Sequence, residues 1–131
     1  MDRTGIGAGP IQDVLPLTGG TQNIMLRFAR GGARYVLRHP PAHPRPNSSE
    51  TMRREARLLA ALAKTKVPHP RLIAACAEEN VLKGAFYLME EVDGFNPAAG
   101  MPKLHAGSPD LRNRMGFALV EGIADLGAVD Y

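Results

Sequence analysis

Four prolines fall within the eight residues His39–Pro46, a stretch that can be neither helix interior nor central strand. It divides the chain into a part before it and a part after it. Ahead of it, Ile11–Leu17 reads as a first strand, weakened near its end by Pro16. Thr18–Asn23 is a turn, Ile24–Ala29 a second strand, Arg30–Ala33 a hairpin turn and Arg34–Arg38 the returning strand. Behind it, Asn47 or Ser48 caps a helix running to about Lys64, with Glu50 in its first turn. Val67-Pro68-His69-Pro70 follows the helix, and strands near Leu72–Ala77 and Ala85–Val92 are joined by a turn at Asn80–Gly84. The Gly/Pro-rich stretch 95–108 reads as a linker, after which Ser108 caps a last helix with Pro109 at its first position. This order predicts an α+β fold with one five-stranded antiparallel sheet and one long helix. Gly5, Gly7, Gly9 and Pro10 make residues 1–10 a loose terminus.

With 131 residues, 44% of them hydrophobic, the chain is long enough for one small domain with a core. Its single cysteine excludes an internal disulfide framework and a multi-Cys zinc site. No apolar run reaches the roughly 18 residues of a membrane helix, and Met1-Asp2-Arg3-Thr4 opens no signal peptide. The expectation is a cytoplasmic protein with no membrane partner. Residues 1–71 hold 12 Lys/Arg against 4 Asp/Glu, whereas residues 72–131 hold 4 against 9. A basic half attracts phosphate-bearing ligands or nucleic acid, or is simply the basic half of an ordinary domain. Three Tyr, four Phe and no Trp argue against a stacking platform for single-stranded nucleic acid.

Glu55 is the residue that most needs an explanation. At 100° per residue, Met52, Ala56, Leu59 and Ala63 form one stripe of the helix, with Leu62 at its edge. Glu55 falls between Leu59 and Leu62. A carboxylate on a buried face is costly unless paired, so Glu55 either takes a cation from another element or snorkels to water. Arg38 is the candidate partner, because strand alternation puts it on the face of Val36, opposite Tyr35 and Leu37. A guanidinium held by Glu55 would be aimed, and it grips phosphate oxygens well. Otherwise Arg38 is an ordinary strand arginine on a solvated face.

Gly19-Gly20-Thr21-Gln22-Asn23 lies between two strands, which fits neither a Walker loop nor a dinucleotide fingerprint. It is either a plain turn or a hairpin lid offering backbone N–H groups to phosphates. His39 and His43 are four apart, but the prolines prevent a helix that would align them for metal, so they are read as loop histidines. Cys76 reads as a small core residue. In the last helix, Leu111, Met115, Ala118, Leu119, Gly122, Ile123 and Leu126 form an apolar stripe that must fold back, pair or stay exposed. Self-association through residues 111–126 is the expectation.

Together these residues resemble a kinase-like amino-terminal lobe, and more narrowly the aminoglycoside/choline-type phosphotransferase family. The resemblance rests on Leu17–Asn23, Tyr35–Pro41, Arg54–Leu59, Val67–Pro70 and Phe86–Gly94, and it spans roughly residues 11–131. It implies an amino-terminal lobe at 11–94, a hinge or linker at 95–108, and the first helix of a missing carboxy-terminal lobe at 109–131. It also implies an ATP site. Gly19, Gly20, Thr21, Gln22 and Asn23 would cover the nucleotide. Arg38 stands where the family has a strand-three Lys, keeping the charge but changing its geometry, and Glu55 stands at the ion-pair partner. Met89 would border the adenine, whose edge would bond the carbonyl of Glu90 and the N–H of Val92. Transfer to a hydroxyl on a small molecule would belong to the intact enzyme. The family's catalytic loop and Mg²⁺ ligands lie in the other lobe, so the resemblance implies no catalytic or metal-binding residue in this chain and no turnover by it alone. The alternative is a non-catalytic nucleotide-binding or protein-interaction module.

Overall fold

Two adjacent glycines close the central hairpin. Gly31 and Gly32 have φ of +58° and +77°, a left-handed pair that costs glycine nothing. A Cβ on Gly31 would also lie 2.8 Å from the backbone nitrogen of Ala8. In the computed structural model, which describes residues 5–17 and 23–130, this turn joins β2 (Ile24–Arg30) to β3 (Ala33–His39). β1 (Gln12–Pro16) flanks β2 with a register irregularity between Gln12 and Leu15. After α1 (Ser48–Leu62) come β4 (Leu72–Cys76) and β5 (Phe86–Glu90), and β5 inserts beside β3. The described strands form a five-stranded antiparallel sheet in the order β1-β2-β3-β5-β4, so the fold is α+β as expected.

The two sheet faces are unequal. Val36, Ala85, Tyr87 and Met89 pack with Met52 and Ala56 of α1 into one buried cluster. Phe28, Tyr35 and Leu88 form a second cluster on the other face, joined by Ile6, Leu37 and Ile73. Strand alternation therefore sorts Val36 from Tyr35 and Leu37 as the sequence predicts. Ile6 and the contact between Gly31 and Ala8 place part of the expected loose terminus against this sheet. α1 ends at Leu62, which is buried, while Ala63 beyond it is exposed rather than part of the packed stripe.

Chain contacts divide the molecule into two units. One is drawn from Met1–Ala63 and Pro70–Val92, the other from Lys64–His69 and Asp93–Tyr131. Within the second, the expected linker contains a short helix, α2 (Lys103–Ala106), followed by α3 (Pro109–Gly127). The side chain of Ser108 accepts from the backbone N–H of Leu111 at 3.3 Å, which is the expected cap. Arg112 donates to the carbonyls of His105 and Ala106, tying the two helices together. α3 has no buried residue, and Leu119, Ile123 and Leu126 of its apolar stripe are exposed. Among the described residues, no helix is long and apolar enough to cross a membrane.

Candidate functional site

β3 and α1 bring Arg38 and Glu55 together. Arg38 Nη2 donates to Glu55 Oε1 at 3.2 Å. Arg38 Nε lies 3.1 Å from Oε2, as an ionic contact rather than an aligned hydrogen bond. Each side chain keeps a little over a quarter of its surface exposed. The pair is thus shielded enough to hold its geometry and open enough to meet a ligand. Of the two fates open to Glu55, pairing is the one adopted.

A third member of this group was not singled out from the sequence. The Tyr87 hydroxyl, on β5, donates to Glu55 Oε2 at 3.0 Å. Tyr87 is 3% exposed, and burial pushes its pKa up to about 12. The charge of Arg38 opposes that rise, while the charge and hydrogen bond of Glu55 add to it. The structure sets Tyr87 in register with Arg38 across β3 and β5; the sequence signal was only a tyrosine in an apolar strand, whose hydroxyl needs a partner when buried.

The Arg38–Glu55 pair lies in the wall of a cavity of about 720 Å³, within the range of small-molecule sites. Asn23, His43, Arg45 and Thr51 also line it with Pro41 and Pro46, so its surface is mixed, with two arginines against the one carboxylate of Glu55. Of the five loop residues expected to cover a nucleotide, Asn23 lies in this wall. Gly19, Gly20, Thr21 and Gln22 fall outside the described residues. His43 is a loop histidine as expected, whereas His39 is the last residue of β3, its ring nitrogens facing the carbonyls of Pro40 and Leu82.

The remaining expected site residues stand apart from this cavity. Met89 is buried in the core beneath α1, directly across from Val36. Glu90 turns its carboxylate to Arg71, accepting from the backbone N–H at 2.8 Å. Val92 lies beyond the end of β5 and is exposed. Between these two, Glu91 is clamped by Arg27 Nη1 at 3.4 Å and Arg34 Nε at 3.0 Å, tying the exit of β5 to β2 and β3. Cys76 is only half-buried and lines a separate apolar cleft of about 300 Å³ between α1 and β4. It is therefore not a fully enclosed core residue. Among the described residues, no three metal-ligating side chains come together.

The described geometry has relatives. The model of a family described as phosphotransferase enzymes matches residues 13–131. The probable acyl-CoA dehydrogenase IBR3 of Arabidopsis thaliana is 35% identical over 98 residues, which cover 74% of this chain and 12% of that protein. A solved structure of a Ralstonia eutropha protein assigned as an aminoglycoside phosphotransferase superposes with a TM-score of 0.55 at 34% identity. That match covers 70% of this chain and 25% of the other. The chain thus spans a quarter or less of the length of these relatives.

Proposed function

The chain belongs to the phosphotransferase enzyme family, and on that premise we propose that it is the nucleotide-binding lobe of an ATP-dependent enzyme that phosphorylates a hydroxyl on a small molecule in the cytoplasm. The observation that carries this reading is the Arg38–Glu55 pair, steadied by Tyr87, in the wall of a cavity that Arg45 also lines. Phosphoryl transfer depends mainly on positioning and on neutralising phosphate charge. An arginine held along one edge by a carboxylate serves both ends, because its direction is set before the ligand arrives.

In this reading Arg38 contacts the phosphates while Glu55 orients it and Tyr87 orients Glu55. Asn23, with Gly19, Gly20, Thr21 and Gln22, closes over the nucleotide. Met89 borders the adenine, and the Glu90 carbonyl and Val92 N–H bond its edge. Mg²⁺ accompanying the nucleotide supplies further charge neutralisation. The acceptor hydroxyl and the group that takes its proton lie with the rest of the enzyme, so this chain's part is to grip and aim the donor. A non-catalytic nucleotide-binding module would use the same grip without the transfer.

Calorimetric titration with a non-hydrolysable ATP analogue tests the reading. Binding that adenosine competes for, and that Arg38→Ala weakens about tenfold, is the expected result for the loss of a charge-assisted contact. Absence of binding, or binding indifferent to Arg38→Ala, overturns it. Mg²⁺-dependent phosphorylation by the longer enzyme, lost with Arg38→Ala, separates the transferase from the non-catalytic module.

A further inference from the structure

From Val14 to Ser49 the chain contains no Asp or Glu, yet it carries Arg27, Arg30, Arg34, Arg38 and Arg45. The structure accounts for most of this charge. Arg27 and Arg34 meet Glu91, Arg38 meets Glu55, and Arg30 is buried in the fold. Arg45 differs, because no carboxylate of the described residues lies within ion-pair distance of it. It lines the same 720 Å³ cavity as Arg38, beside His43. Glu55 is the one carboxylate among the described lining residues, and it is already engaged by Arg38 and Tyr87.

The backbone beneath Arg45 is firmly placed. Its N–H donates to Ser48 Oγ at 2.9 Å, and its carbonyl accepts from the Ser48 N–H at 3.0 Å. Pro44 and Pro46 flank it and restrict the backbone further. A cation projecting from a stiff base into a cavity loses less freedom on binding than one on a mobile loop.

We propose that Arg45, together with His43, forms a second phosphate-binding locus in the cavity that Arg38 also lines. The ligand class is a phosphoryl group, supplied either by the nucleotide's own phosphate chain or by an acceptor that is itself a phosphate ester. The proposal rests on the nucleotide reading for the first grip and adds a second, so that the cavity takes two phosphoryl groups, on one ligand or on two.

Sodium tripolyphosphate, titrated calorimetrically into the 131-residue chain without Mg²⁺, is the direct probe. Arg45→Ala is expected to weaken its binding about tenfold, the loss of a charge-assisted phosphate contact. Arg45 and Arg54 are both exposed, but Arg54 is not among the residues lining the cavity. Arg54→Ala therefore removes the same charge at a distance from the ligand and is expected to change binding less than about twofold. No binding of tripolyphosphate, equal effects of the two variants, or no effect of Arg45→Ala would each overturn the proposal. The source of the phosphate is then read from two further ligands. A loss of affinity for a non-hydrolysable ATP analogue assigns the locus to the nucleotide, and a loss confined to glycerol 3-phosphate assigns it to the acceptor. Failure of the nucleotide reading has a separate signature, in which the ATP analogue binds no tighter than tripolyphosphate and adenosine does not compete, while the Arg45 effect persists.

Discussion

The Tyr87 hydroxyl and the Glu55 carboxylate meet at 3.0 Å inside the sheet–helix layer, on the side of Glu55 that Arg38 Nε also approaches. One carboxylate oxygen therefore serves two partners on different strands. Each can be removed singly with a different expected signature.

Removing the hydroxyl with Tyr87→Phe should alter the alkaline limb of stability. The pKa of Tyr87 is raised from 10.0 to about 12 in the folded state. The fold thus holds this proton more tightly than the unfolded chain, and the associated stability is fully present below pH 10. It is lost as the pH rises toward about 12. Absorbance at 295 nm should show an ionisation near pH 12 in the wild type that Tyr87→Phe removes. If every tyrosine of the wild type has ionised by pH 11, the Tyr87 hydroxyl is not buried in solution as it is in the structure.

Arg38→Lys should fall between the wild type and Arg38→Ala in phosphate affinity. Lysine restores the charge but has no planar edge to lay against Glu55, so its ammonium is less well directed. Titration of the three proteins with an ATP analogue should rank them in that order. A lysine variant equal to the wild type would show that charge alone matters at this position.

Glu91→Ala leaves Arg27 and Arg34 without the carboxylate that joins them, and Glu91 is only 14% exposed at its side chain. Urea unfolding should show a loss of about 1–2 kcal/mol, the usual scale for a charged hydrogen-bond partner removed from a shielded site. Glu91→Gln should lose less. A loss confined to the alanine variant's nucleotide affinity, with stability unchanged, would mean that the clamp does not hold β5.

Leu119 and Ile123 on α3 are both more than three-fifths exposed. The isolated chain is therefore expected to associate through this helix. Light scattering should give a species heavier than 14.1 kDa, returning toward that mass when both residues are changed to serine. A strict monomer that binds no apolar dye would refute this.

The Arg38–Glu55 pair was legible because two independent periodicities converge on it. A period of two put Arg38 on the same face as Val36, and a period of 3.6 put Glu55 on the apolar stripe of α1; the structure shows that these two faces meet. Tyr87 escaped notice because its role depends on β5 lying beside β3, a pairing between segments with α1 and β4 between them. Local pattern says which face a strand residue takes but not which strand becomes its neighbour. Arg45 was hidden for a different reason. The prolines around it abolish any periodicity, so nothing in the local pattern says that this loop lines the same cavity as Arg38. The four-residue α2 is too short for an amphipathic repeat to register.

The long carboxylate-free stretch also bears on the order in which the molecule is made. A ribosome delivers the β2–β3 hairpin with its arginines well before Glu55, and before Glu91 by a wider margin. Arg27 and Arg34 must wait for the last strand to emerge before the counter-charge that joins them exists. In the folded sheet β5 lies between β3 and β4 and brings Glu91 to both arginines. The last strand to be synthesised is thus an interior strand of the sheet, with a neighbour on each side.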